Sequence, residues 1–145
     1  MGYRELIESL TELAESEGPD VLIGFRAQSA GADIVQRAIY NEFGIGVPER
    51  SFLRTTVERH RNAYLDALQA ALTQLVDGDR NGSILALRRL GLRAVGDVQQ
   101  QILDTETPPN SPATIARKGS SQPLIDTGQM RQSVDSVVVL DGETI

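Results

Sequence analysis

The chain contains no cysteine, which removes disulfides, thiol nucleophiles and cysteine metal sites from consideration together. Histidine is nearly as scarce. The one copy, His60, lies in "TTVERHRNAYLDAL", three residues after Val57 and four before Tyr64. It sits beside a helical apolar stripe with no serine nucleophile motif, and so reads as a packed or half-exposed structural residue. Lysine also occurs once, as Lys118. Fourteen basic against twenty acidic residues leave a net charge of -6. That balance argues against a protein whose main task is gripping phosphates, because non-specific nucleic-acid affinity comes from clustered Lys and Arg. Contact with DNA without tight binding stays open. No apolar run is long enough to cross a bilayer, and Met1-Gly2-Tyr3-Arg4-Glu5 lacks the basic-then-apolar order of a secretory signal. The expectation is a soluble protein made in the cytoplasm.

What is present suits one domain spanning residues 1–145. With 40% hydrophobic and 23% charged residues, the chain can bury a core that offsets roughly 1 to 2 kcal/mol of backbone ordering per residue. The opening "GYRELIESLTELAESEG" places Leu6, Leu10, Leu13 and Ala14 at helical spacing, with Glu5, Glu8, Glu12 and Glu15 on other faces. This predicts an amphipathic N-terminal helix over residues 1–18. Gly18-Pro19-Asp20 ends it, and "VLIGF" at 21–25 reads as a short buried strand. In "IVQRAIYNEFGIGVPERSFLR", Ile34, Ala38 and Ile39 suit a helix or a strand, while Tyr40, Phe43 and Ile45 favour extended backbone. A strand is therefore expected around 34–42. Gly44, Gly46 and Pro48 favour an irregular connection that carries Phe52 and Leu53 into the core.

Thr55-Thr56-Val57-Glu58 has the form of a capping box. From it, Val57, Tyr64, Leu68, Ala71, Leu72 and Leu75 trace one helical face to about Val76. "DGDRNG" at 77–82 breaks that helix, and a second is predicted from Ser83 to Leu103 along Ile84, Leu87, Gly91, Val95, Val98 and Ile102. Gly91 costs that helix about 1 kcal/mol against alanine, which implies close approach of a neighbouring backbone. Next comes "TETPPNSPATIARKGSSQP" at 105–123, with four prolines and no usable periodicity. It reads as an extended arm, pre-ordered for docking on another surface. The chain closes with a short helical turn at "GQMRQSV" and a strand at Val137-Val138-Val139-Leu140. The fold class is thus α+β: a small antiparallel sheet packed on two long antiparallel helices, with an N-terminal helix and an extended proline-rich arm.

"LIDTG" at 124–128 has the hydrophobic-hydrophobic-Asp-Thr-Gly form of an aspartic protease. Such an enzyme needs two carboxylates sharing one proton, so a single copy demands a homodimer. It also needs a nearly all-β frame, whereas the middle of this chain reads as two long helices. Asp126 is better placed as an N-cap or Asx-turn residue before the helical turn, within reach of Arg131. No cofactor or metal site is indicated.

Two stretches taken in order carry a family resemblance. "YNEFGIGVPERSFLR" (40–54) resembles the Glu-Phe-Gly, then Ile/Val-Pro-x-Arg-x-Phe-Leu-Arg motif of tailed-bacteriophage neck and tail-completion proteins, also called virion morphogenesis or minor tail proteins. "PPNSPATIARKGSSQPLIDTGQMRQSV" (108–134) is similar to the Pro-Pro-Asn-Ser, Arg-Lys-Gly and Leu-Ile-Asp-Thr-Gly tail end of the same family. Glu49 and Ser51 depart from the commoner Ala and Pro. The resemblance implies a non-enzymatic virion protein of the head-tail junction, assembled in the host cytoplasm as a six-fold or twelve-fold ring. Its implied partners are further copies of itself, portal or adaptor and tail-terminator proteins, and genomic duplex DNA passing through the lumen without specific binding, with no membrane involved. Interface or structural candidates are Phe43, Pro48, Arg50, Phe52, Leu53 and Arg54 from the first motif, and Arg117, Lys118, Asp126, Thr127 and Gly128 from the second. Phe52 and Leu53 are expected to be buried, with Arg50 or Arg54 pairing an acidic neighbour, so that "VPERSFLR" anchors the sheet to the first long helix. The alternatives are the homodimeric aspartic protease and a host-encoded helical binding module.

Overall fold

The computed structural model describes residues 4, 7, 8, 18–125 and 128–145. Arg4, Ile7 and Glu8 are helical and exposed; the rest of the helix expected over 1–18 lies outside the described residues. The element order is β1 (Asp20–Gly24), α1 (Ala27–Ala30), α2 (Ala32–Phe43), α3 (Phe52–Val76), α4 (Arg80–Asp104), α5 (Pro112–Lys118), α6 (Gln129–Gln132), β2 (Asp135–Leu140) and β3 (Glu143–Thr144). No helix among the described residues is long and apolar enough to cross a membrane.

The strand expected at 34–42 is a helix, α2. Its buried residues are Ile34, Ala38 and Glu42, each four positions after the last, so helical periodicity prevails over the extended preference of single residues. Tyr40, Phe43 and Ile45, which suggested a strand, are exposed. The helix stops at Gly44, whose left-handed backbone (φ 68°) lets its N–H bond the Tyr40 carbonyl. A β-carbon there would stand 3.0 to 3.2 Å from Glu49 atoms, so both the conformation and the space demand glycine.

Each long helix also begins earlier than predicted. Helix α3 starts at Phe52, and Thr56 of the presumed capping box is a fully buried interior residue whose Oγ1 donates to the Phe52 carbonyl at 2.7 Å. Helix α4 starts at Arg80, because Asp79 Oδ1 accepts the Gly82 N–H at 2.9 Å.

The chain forms two compact units, and both long helices contribute residues to each. The first comprises Met1–Ile23, His60–Arg93 and Ser136–Ile145. Its three-stranded sheet has the order β1-β2-β3, and β2 pairs antiparallel with β3, Leu140 opposite Glu143 across a tight turn at Asp141-Gly142. Ala71 of α3, Leu87 of α4 and Val138 of β2 form a core with Val21, Leu68, Ala86 and Ile145 packed on it. This is the expected α+β arrangement, a small antiparallel sheet on two long antiparallel helices. A β-carbon at Gly91 would lie 2.7 Å from Ser136 Oγ and 3.4 Å from Val21, so α4 is closely approached there, by side chains of the strands. His60 stacks on Tyr64 with centroids 5.7 Å apart, in line with a structural role. Ser83 Oγ is buried without a hydrogen-bond partner. Ser83→Ala should therefore leave stability unchanged or raise it by up to about 1 kcal/mol in urea denaturation, since no bond is lost and a desolvated hydroxyl is removed.

The second unit comprises Gly24–Arg59 and Ala94–Asp135. Phe52, wholly buried, meets the edge of Phe25 at 6.0 Å. Ala94, Val98 and Ile102 on α4, together with Leu124, Met130 and Val134, are also among its buried apolar residues. Arg26 forms an ion pair with Asp135. The proline-rich segment is less irregular than expected, because its middle is helix α5. Ser111 is the N-cap and accepts the Thr114 N–H at 3.2 Å, Pro112 takes the first turn, and Gly119 ends the helix in a left-handed conformation.

Candidate functional site

Glu42 lies on the buried stripe of α2, where an apolar residue would be ordinary. Its carboxylate accepts three hydrogen bonds: from Ser51 Oγ at 2.8 Å, the Leu53 N–H at 2.9 Å and the Arg54 N–H at 3.0 Å. The last two are orphan donors at the start of α3, so a side chain from another helix does the work of an N-cap and meets the positive end of the helix dipole. Ser51, the residue in N-cap position, donates its hydroxyl hydrogen bond to Glu42 and accepts from Arg54 Nε at 3.1 Å. Arg54 also pairs with Glu49 at 2.6 Å, an exposed contact of small energetic weight. Glu42→Gln keeps the shape but leaves one good acceptor for three donors. It should lower stability by about 1 to 2 kcal/mol; an unchanged urea midpoint would remove the capping role.

Arg50 makes a second, longer-range connection. Its N–H bonds the Asn41 carbonyl at 2.7 Å. Its guanidinium donates from Nε to the Pro108 carbonyl at 2.7 Å, from Nη2 to the Pro109 carbonyl at 3.2 Å and to Asn110 Oδ1 at 3.4 Å, and from Nη1 to Asn41 Oδ1 at 3.4 Å. Every one of these acceptors is neutral. Burial lowers the Arg50 pKa from its ordinary value, yet an arginine stays charged at neutral pH. The planar fork suits the two successive carbonyls of Pro108 and Pro109, residues that have no backbone N–H of their own. Asn110 Nδ2 and Lys118 Nζ then bond the Gln122 carbonyl at 3.2 and 3.0 Å, with Lys118 also reaching Pro123 at 3.4 Å.

Beside this clasp lies a cleft of about 900 Å³ lined by Arg37, Arg50, Arg117 and Lys118, by Val47, Pro48, Leu124 and Met130, and by further residues from 41–46, 109–114, 123 and 128–129. Among the described residues its lining includes no carboxylate.

The candidates therefore divide. Arg50 and Phe52 are buried, Leu53 is half-buried, and Arg54 carries the acidic partner expected of Arg50 or Arg54. Pro48, Arg117, Lys118 and Gly128 are brought together around the cleft. Phe43 is 64% exposed and packs on no core. Asp126 and Thr127 lie outside the described residues, and with them the capping and Arg131-pairing roles. "VPERSFLR" joins α2 to α3 and to residues 108–110, and the anchoring of a sheet strand at 34–42 is corrected because that strand is α2. Glu42 and Asn110 were missed. A glutamate in register with Ile34 and Ala38 on an apolar stripe was the available signal, since a buried carboxylate requires donors. Comparison with known proteins finds no matching family model, no matching curated protein and no matching solved structure.

Proposed function

We propose that this chain is a structural virion protein of a tailed-bacteriophage head-tail junction, forming a ring around the DNA path and joining head to tail. The observation that carries the reading is the seating of Arg50, from the first of the two motifs, on Pro108, Pro109 and Asn110 of the second. Two stretches that resemble one family in their order are also partners in space. The polar groups of this region are spent on backbone: Glu42 caps α3 and Arg50 holds two carbonyls. Side chains committed in this way fix loop shape for a partner surface and leave little to act on a substrate. Two helices of 25 residues each also weigh against the nearly all-β frame that an aspartic protease requires. A chain without an excess of basic residues suits a DNA passage, because it does not hold the phosphates of a sliding duplex.

The test is the mass of the purified full chain by sedimentation equilibrium. A closed assembly of six or twelve copies is the expected result. A dimer with acid-dependent peptide cleavage that disappears in Asp126→Ala would replace the proposal with the protease, and a lone monomer that binds a small ligand would replace it with the binding module.

A further inference from the structure

The acidic charge of the chain is concentrated at one end. Residues 5–20 hold Glu5, Glu8, Glu12, Glu15, Glu17 and Asp20 with no Lys or Arg, and outside them fourteen acidic residues balance fourteen basic ones. The net charge of -6 thus resides in this one segment. In the second unit, the cleft of about 900 Å³ is lined by Arg37, Arg50, Arg117 and Lys118 and, among the described residues, by no carboxylate; Lys118 already donates to the Gln122 and Pro123 carbonyls, so the three arginines are the cations that count. Arg37 and Arg117 on its walls are exposed, and neither forms an ion pair among the described residues. Arg50 is anchored on neutral acceptors, so its charge is not cancelled by the groups that hold it. Cations of one sign in a concave wall focus their field into the opening. Val47, Pro48, Leu124 and Met130 add apolar surface between them. The segment has matching chemistry, with Leu6, Leu10 and Leu13 set among its glutamates. A cleft of this size encloses a few side chains of a segment and not a folded domain.

We infer that the cleft lined by Arg37, Arg50, Arg117 and Lys118 is the docking site for the acidic segment 5–17 of a second copy of this chain. This deepens the ring reading and rests on it. A closed ring needs a head-to-tail contact between two different surfaces of the same polypeptide, and a basic cleft with an acidic segment supplies such a pair. The charges set partner choice and register more than raw affinity, and salt weakens the contact.

Because the chain has no native cysteine, an introduced pair reports the contact directly. Full-length Arg117→Cys and Glu12→Cys proteins are mixed and oxidised, and disulfides are read on non-reducing gels. The mixed disulfide should exceed either same-site disulfide by roughly tenfold or more, a ratio equivalent to about 1.4 kcal/mol, and should fall in about 1 M salt. In parallel, Arg37→Glu with Arg117→Glu should abolish assembly, as should Glu8→Arg with Glu12→Arg, while the two variants mixed should assemble with each other. Circular dichroism shows whether each variant is folded, and the cysteine pair remains informative if a charge reversal is not. Closed rings without an excess of mixed disulfide would overturn the docking site and leave the ring standing. Monomers with no mixed disulfide would overturn both. A disulfide formed only within a single chain carrying both cysteines would assign the cleft to its own segment and defeat the inference. So would a short DNA duplex that binds through Arg37 and Arg117 when the mixed disulfide does not form.

Discussion

Phe52→Ala should lower the free energy of unfolding by about 3 to 5 kcal/mol, the range for emptying a buried aromatic site. Phe52 has no exposed surface and meets Phe25 edge-on at 6.0 Å. It is also the first residue of α3 and its carbonyl accepts the Thr56 Oγ1 hydrogen bond, so its backbone is held in place and a cavity there cannot readily collapse. Phe52→Leu keeps most of the apolar volume and should cost less than half as much. Urea denaturation followed by far-ultraviolet circular dichroism measures both. An alanine variant that unfolds at the parent's midpoint would mean that the motif's aromatic residue does not serve packing.

Arg50→Ala should cost about 3 kcal/mol, because charge-assisted bonds to two carbonyls are lost together and those carbonyls are left without their donor. The loss has a local signature. The segment 105–123 should become the first site of proteolytic cleavage, since Arg50 provides the hydrogen bonds that hold Pro108, Pro109 and Asn110, while the two long helices persist. Arg50→Lys should rescue less than half of the effect, because one ammonium cannot reproduce the fork across adjacent carbonyls. Full rescue by lysine would show that charge alone matters there and that the geometry of the clasp does not.

These residues also mark what could be read in advance. Strand β1, the turn between the long helices and strand β2 were legible because each rests on local pattern: an apolar run between turn residues, a polar break and a valine run; β1 is nevertheless only partly covered and not buried as expected, and β3 was not read. Helix α2 was misread because Tyr40, Phe43 and Ile45 were weighed as β-formers, although they are exposed and contribute nothing to the core. The true stripe, Ile34, Ala38 and Glu42, ends in a charge, so Ile34 and Ala38 alone left helix and strand undecided. The start of α3 was misplaced for a related reason. A local capping box was sought at Thr55, while the working cap is a carboxylate ten residues before the helix, on another element. In α5 the signs were present, Ser111 before Pro112 and Gly119 after Lys118, but the surrounding prolines suggested only extension. The Arg50 clasp spans 58 to 60 residues of sequence, and no local pattern carries that information. Of the site, Pro48, Arg50, Arg117, Lys118 and Gly128 were named as candidates, whereas the cleft that gathers them depends on the tertiary fold.

We propose that this polypeptide is a fixed part of a virion, with its polar groups serving shape and assembly. The most direct measurement is gold-labelled antibody against the purified chain, viewed by electron microscopy on intact particles and on particles with tails detached from heads. Labelling confined to the junction, exposed or increased when heads and tails separate, is the predicted result. Purified infectious particles that carry none of the polypeptide would contradict it.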